Sequence, residues 1–288
     1  MIITRLKGGL GNQMFQYAVG RAVALSCGQE LKLDATGYDD PRYINADTPR
    51  QYRLFPFNIS AKPATPNEVK KYKYPFSVFS KAARFVNLVL LKKHNTDYNP
   101  NFFEKSHRYI DGYFQSEKNF LNAKKEIIRE FTLKKEFESA IFLVEKNKMD
   151  KERSVSVHIR RGDYVSDPKT QAAHGVCSKE YYEQAMNLIR EKIENPSFYF
   201  FSDDIEWVNK EFGDKSDYRY VSNPSLQDYE ELMLMTSCAH NIIANSSFSW
   251  WGAYLNKNPE KIVVAPKKWV NVVPDPHPNI IPEGWIRI

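Results

Sequence analysis

Hydrophobic and polar positions along the chain change period several times, and each period points to an element. Ile2 and Ile3 lead into Gly8-Gly9-Leu10-Gly11. Met14, Phe15, Ala18, Val19, Ala22 and Val23 then recur at helical spacing, and residues 30–34 read as a second strand. The chain therefore opens as a βαβ unit. From 35 to 150 the pattern is broken by Pro41, Pro49, Pro56, Pro63, Pro66, Pro75 and Pro100 with aromatics between them. Short helices and long loops are expected there, with a helix over 118–131. The second half is more regular. Strands are predicted at 155–159, 198–202, 218–221, 241–244 and 261–265. Helices are predicted at 178–194, with Ser178 as N-cap, and at 205–212, 228–238 and 248–255.

Apolar strands alternating with helices predict a parallel, doubly wound sheet. Two such units suggest two Rossmann-like domains. The charged stretch 146–153 sets the expected boundary, giving domains at 1–152 and 153–288. No internal repeat or low-complexity segment stands out.

Composition narrows the class. Of 288 residues 42% are hydrophobic and 26% charged, ordinary globular values. A chain this long buries a core without metal or disulfide staples. Cys27, Cys177 and Cys238 are odd in number and far apart, which disfavours a zinc site or a disulfide framework. A reducing, cytoplasmic setting fits. The N-terminus shows no signal-peptide core, and no apolar run approaches the roughly 20 residues of a membrane span. The net charge of +6 suits an anionic partner without choosing one.

Ligands of open α/β sheets sit beyond the carboxyl ends of the strands, and four segments fall at such ends: 7–13, 158–163, 202–204 and 245–249. In His158-Ile-Arg160-Arg161-Gly-Asp163, an arginine offers a planar fork that matches phosphate oxygens. One arginine can face a ligand while the other pairs with a carboxylate such as Asp163; a solvated surface ion pair is the competing explanation. Asn245-Ser246-Ser247-Phe248-Ser249 opens a helix whose free N–H groups and hydroxyls suit an anion. A plain Ser N-cap over a packed Trp250-Trp251 pair explains the same residues. Asp203 suits a guanine edge or a ribose hydroxyl, and Asp204 suits an N-cap. Gly9 and Gly11 partly match a dinucleotide-binding turn, with Met14 at the third glycine position and Asp34 as a ribose-binding acid. A nicotinamide-dependent oxidoreductase is therefore the rival reading. No D-x-D, G-x-S-x-G or H-E-x-x-H occurs.

The segments GGLGNQMFQYA (8–18), VHIRRGDY (157–164) and NSSFSWWGAYL (245–255), supported by FSDD (201–204), resemble the bacterial α1,2-fucosyltransferases of glycosyltransferase family 11 in order and spacing. The resemblance implies a GT-B fold, two Rossmann-like domains facing a central cleft, with the acceptor on the N-terminal domain. It implies GDP-fucose as donor, inversion at the anomeric carbon and no required metal or other cofactor. Carried onto this chain, it puts Arg160 or Arg161 on the β-phosphate and His158 near the nucleotide. Asn12 reaches donor or acceptor, Asp203 the guanosine, and Ser246, Ser247 and Phe248 the diphosphate. The general base stays open among Asp163, Asp167 and His174. The expected acceptor is a galactoside-terminated oligosaccharide or lipid-linked glycan, as in O-antigen or capsule synthesis.

Residues 70–93 interleave Lys70, Lys71, Lys73, Lys81, Arg84, Lys92 and Lys93 with aromatics. A solvated helix face explains this; so does peripheral contact with the inner face of a membrane. The basic residues form no recognised nucleic-acid motif, so no nucleic acid is expected as partner. A non-catalytic carbohydrate-binding protein is a third class, on the 14% aromatic content alone.

Overall fold

The computed structural model describes residues 1–40, 50–73, 98, 109–272, 275 and 277–288, leaving aside the side chains of Asp163, Ser166 and Lys169. Contacts divide the chain into two compact units. The first is Met1–Phe131 with His277–Ile280, the second Thr132–Pro276 with Ile281–Ile288.

The first unit contains β1 (Ile2–Arg5), α1 (Leu10–Ser26), β2 (Leu31–Asp34), β3 (Lys62–Pro63), α2 (Pro66–Lys73), β4 (Tyr109–Ile110) and α3 (Lys124–Glu130). Its strands lie in the order β3-β2-β1-β4, all parallel. Helix α1 buries Met14, Phe15, Ala18, Val19 and Ala22 completely, the stripe its periodicity predicts. It lies so close to the sheet that a Cβ on Gly20 would stand 2.1 Å from Thr4 Oγ1. Glu130, 4% exposed, accepts hydrogen bonds from Arg21 and Tyr17 and ties α3 to α1. The helix expected over 118–131 is broken. Single 3₁₀ turns at Glu117–Asn119 and Leu121–Ala123 precede α3. Asn119 turns its amide onto the Phe114 carbonyl at 3.2 Å, and such local bonds compete with helix continuation.

The second unit contains α4 (Ala140–Met149), β5 (Ser154–Ile159), α5 (Gly162–Ser166), α6 (Pro168–His174), α7 (Lys179–Lys192), β6 (Ser197–Ser202), α8 (Ile205–Phe212), β7 (Tyr218–Tyr220), α9 (Asp228–Ser237), β8 (His240–Ile242), α10 (Ser247–Leu255), β9 (Val263–Ala265) and β10 (Ile286–Arg287). The sheet order is β10-β9-β8-β5-β6-β7, again all parallel. Every residue of β5 is buried, as a central parallel strand requires. Val155, Val157, Phe198, Phe200 and Ile242 pack with Tyr182, Ile189, Val208 and Phe212 of α7 and α8 in one core.

Helix α4 precedes the boundary read at 152/153, yet it belongs to the second unit. It packs on α9, and buried Glu230 accepts from the Ser139 and Gln227 amides, both at 2.9 Å. Helices α5 and α6, five and seven residues long, were not predicted; elements so short carry no readable period. The basic segment is covered only as far as Lys73 of α2, so most of 70–93 lies outside the described residues. Among the described residues no helix is long and apolar enough to cross a membrane.

Candidate functional site

Strand order locates the site. From β5 the chain builds outward through β6 and β7, then returns to the other side of β5 with β8 and continues to β9 and β10. Strands β5 and β8 thus flank a topological switch point, where a crevice opens beyond the carboxyl ends. Residues 158–163 leave β5 there and 245–249 leave β8.

His158 is the penultimate residue of β5 and is 4% exposed. Its ring centroid lies 5.5 Å from that of Phe248, and its Nδ1 has no hydrogen-bond partner among the described residues. Burial, with the Arg160 charge adding, pushes its pKa down to about 3. The imidazole is therefore neutral at physiological pH. It can donate or accept one hydrogen bond, but it does not carry charge.

The two arginines diverge. Arg160 Nη1 pairs with Asp203 Oδ2 at 2.7 Å, and its guanidinium lies 5.5 Å from the Tyr164 ring. Arg161 stacks on Trp207 at 3.5 Å and donates Nε to Asp204 Oδ2 at 3.0 Å. Its backbone N–H donates to Asp203 Oδ1 at 2.9 Å. Asp203 and Asp204 on the neighbouring strand end are thus arginine partners; the expected pairing with Asp163 lies outside the described side chains. Asp204 also caps α8, accepting from Trp207 N at 3.4 Å. Gly162 makes this crowding possible: a Cβ there would stand 2.3 Å from Asp203 Oδ2.

Ser246 is the N-cap of α10, its hydroxyl accepting from Phe248 N at 3.3 Å. Ser247 and Phe248 begin the helix and stay partly exposed. Trp250 and Trp251 are fully buried, which settles them as packing. Asn245 is a brace. Its amide donates to the carbonyls of His174 at 3.0 Å and Trp269 at 3.1 Å, and Tyr164 Oη reaches its carbonyl at 3.4 Å. This holds the α5–α6 segment against the start of α10. Of the expected bases, His174 stacks on Tyr164 at 5.0 Å, Asp167 accepts from Thr170 Oγ1, and the Asp163 side chain lies outside the described set.

Three participants escaped the sequence reading. Trp207 carries Arg161, Tyr164 lies under Arg160, and Glu231 stands near Asp203. Burial, opposed by a Ser222 hydrogen bond and reinforced by Asp228 and Asp203, pushes Glu231 up to about 7. Tyr164 directly follows the arginine motif; nothing in the one-dimensional pattern marks Trp207 or Glu231.

In the first unit, β1 is flanked by β2 and β4, and the turn after it holds Gly8 at φ +79°. A Cβ there would stand 2.6 Å from Asn12 Nδ2. Asn12 Oδ1 accepts from Gln115 at 2.7 Å, and its Nδ2 has no hydrogen-bond partner among the described residues. The turn is held by Gln13 and Gln16, which bond Gly8 O and both backbone groups of Lys7. Asp34 is not a ribose ligand in waiting. It is 1% exposed and accepts from Thr36 and Tyr109, which removes the dinucleotide argument. Among the described residues no three His, Cys, Asp or Glu side chains gather to hold a metal.

The model of a glycosyl transferase family 11 matches residues 1–288. An alpha-1,2-colitosyltransferase of Escherichia coli is 34% identical over 299 aligned positions, covering 100% of this chain and 99% of that protein. The O-antigen biosynthesis glycosyltransferase WbnK of the same species is also 34% identical, covering 92% and 93%. Among solved structures, NodZ alpha-1,6-fucosyltransferase soaked with GDP-fucose superimposes with a TM-score of 0.51 over 88% of this chain and 91% of that one, at 15% identity. That likeness is one of fold.

Proposed function

The chain belongs to glycosyl transferase family 11, and from that premise we propose that it transfers L-fucose from GDP-fucose to O2 of a terminal β-galactoside. The observation that carries the reading is the meeting of Arg160, neutral His158 and the α10 N-terminus at the β5/β8 switch point. That combination suits a diphosphate: a cation for its charge, N–H groups for its oxygens, and an uncharged donor beside them. A nucleotide soaked into NodZ supports the donor class.

In this scheme the two units are the halves of a GT-B enzyme, the second holding the donor and the first the acceptor. The acceptor hydroxyl oxygen attacks the anomeric carbon as the bond to the β-phosphate oxygen breaks. GDP leaves from the opposite side, so a β-linked donor yields an α-linked product. The hydroxyl proton passes to a base, assigned among Asp163, Asp167 and His174. Arg160 takes the β-phosphate, because Arg161 is committed to Trp207 and Asp204. Ser246, Ser247 and Phe248 line the diphosphate; Asp203 turns from Arg160 to the guanosine. With the leaving charge met by Arg160 and helix N–H groups, no metal is required. Turnover is expected to survive chelation by EDTA unchanged. The base is the candidate whose Asn or Gln variant removes the acidic limb of the kcat profile while GDP affinity stays constant.

A second reading differs only in the donor sugar. The E. coli relative at 34% identity transfers colitose, which is fucose without its 3-hydroxyl. Turnover of the two nucleotide donors with a β-galactoside acceptor tests both. Preference for the fucose donor supports the first reading, preference for the colitose donor the second. Release of neither sugar overturns both.

A further inference from the structure

The first unit has a switch point of its own. From β1 the chain runs through α1 to β2 and β3 on one side, then returns with β4 on the other. Strands β1 and β4 thus flank the place where a ligand crevice opens beyond the carboxyl ends. Arg5 closes β1 and Lys7 follows it; Asp111 directly follows β4. Asp111 binds both cations, Oδ2 with Arg5 Nη1 at 3.0 Å and Oδ1 with Lys7 Nζ at 2.9 Å. The Lys7 ammonium also stands 4.5 Å from the Tyr113 ring centroid, which steadies it. Burial opposes ionisation of Asp111, but the charges and hydrogen bonds of Lys7 and Arg5 outweigh it and hold the carboxyl below its ordinary range.

These charges are reachable. The side chains of Lys7 and Asp111 are 21% and 25% exposed. Lys7 Nζ spends one N–H on Asp111 and has no other acceptor among the described residues. The same two segments meet again where Gln115 donates to Asn12 Oδ1 at 2.7 Å, which leaves Asn12 Nδ2 as a second donor at this end of the sheet. Donors alone would suit an anion, but the ionised Asp111 among them repels one. A hydroxyl both donates and accepts. A vicinal pair of hydroxyls therefore matches a carboxylate beside an ammonium: one O–H donates to Asp111 while the neighbouring oxygen accepts from Lys7.

We propose that Asp111 and Lys7 form the subsite that selects the acceptor sugar, gripping the O3–O4 hydroxyl pair of its terminal galactose. The choice of hydroxyls rests on the proposed transfer to O2 of a β-galactoside. There O1 carries the rest of the glycan and O2 is the nucleophile, so O3 and O4 are the vicinal pair left on the ring. Because O4 is axial in galactose and equatorial in glucose, a grip on this pair also separates the two sugars.

The test is a saturation-transfer NMR titration of the full chain, without nucleotide, using methyl β-galactoside and its 3-deoxy, 4-deoxy and 6-deoxy analogues. The 3-deoxy and 4-deoxy sugars are expected to bind about tenfold more weakly than the parent sugar, and the 6-deoxy sugar within about twofold of it. Asp111→Asn keeps the shape and removes the charge. It is expected to weaken methyl β-galactoside about tenfold while GDP affinity stays constant. A mere staple between β1 and β4 would lower the melting temperature of that variant and leave its sugar affinity unchanged. Should Asp111→Asn lose its fold, Lys7→Met must weaken the galactoside instead. Absence of saturable galactoside binding, equal affinity for the parent, 3-deoxy and 4-deoxy sugars, or parental affinity in Asp111→Asn overturns the proposal. Fucose transfer alongside any of these results leaves the donor reading standing. Discrimination among the deoxy sugars by a chain that binds no GDP sinks the donor reading and keeps the subsite.

Discussion

Arg160 and Arg161 are chemically identical and adjacent, and their neighbours separate them. Arg161 rests on Trp207 and Asp204, while Arg160 lies beside Asp203 and Tyr164. Arg160→Ala is expected to lose about 10²–10³ in kcat, the usual cost of removing one preorganised donor to a leaving charge. Circular dichroism should show the fold retained. Arg161→Lys keeps the charge but loses the stack and the planar Nε contact. It should lower the melting temperature more than it lowers kcat. Gly162→Ala drives a methyl into the Asp203 carboxylate, so donor KM should rise with little change in acceptor KM. Glu231 carries a pH signature. Its carboxyl is raised to about 7 by burial, with Asp228 and Asp203 adding and Ser222 opposing. At low pH both folded and unfolded states are protonated. As pH rises from its ordinary 4.5 towards 7, the unfolded chain ionises first. Stability then falls by about 1.4 kcal/mol for each pH step of one across that window. Glu231→Gln should therefore be more stable than the parent above neutrality and equal to it near the acid end. Parallel denaturant curves at the two pH values read this directly.

Elements gain their positions from contacts that propensity does not contain. Ser246 was legible as an N-cap, and it is one; Ser246→Ala is expected to cost about 1 kcal/mol through the lost cap. Helix α1 tests close packing. Gly20→Ala raises helix propensity, yet the new methyl meets Thr4 Oγ1 and Leu31 Cδ1. Overpacking of this kind costs about 1–3 kcal/mol, so the melting temperature should fall. The regular strands and helices of the second unit were readable because each runs long enough to show a period. Strand β5 and helices α7 to α10 begin and end close to where the apolar pattern places them. The stretch 118–131 was not, because Asn119 bonds Phe114 O and breaks what the apolar spacing alone continues. Helices α5 and α6 are each about one to two turns, too short to announce themselves.

At the scale of the molecule, two parallel sheets followed from sequence, because alternating apolar strands and amphipathic helices admit few other packings. The division of the chain did not. Charge density suggested a boundary at 152/153, whereas α4 is drawn into the second unit by Glu230 and by its packing on α9. One global prediction follows from the donor reading. GDP at about 100 times its Kd should stabilise the protein by about 2.7 kcal/mol, seen as a raised melting temperature, and Arg160→Ala should lose most of that gain. What the sequence alone determined is the alphabet of the site: the arginine pair after β5, the Ser-rich helix start after β8, the glycine turn after β1, and their order along the chain. Those are properties of residue type and spacing. Only the tertiary structure decided which arginine is committed to packing, that Asp34 is used up by Thr36 and Tyr109, and that Asp203 and Asp204 pair with the arginines. Such outcomes depend on side chains more than 40 residues apart in sequence meeting across neighbouring strand ends, and one-dimensional periodicity carries no record of which strands become neighbours.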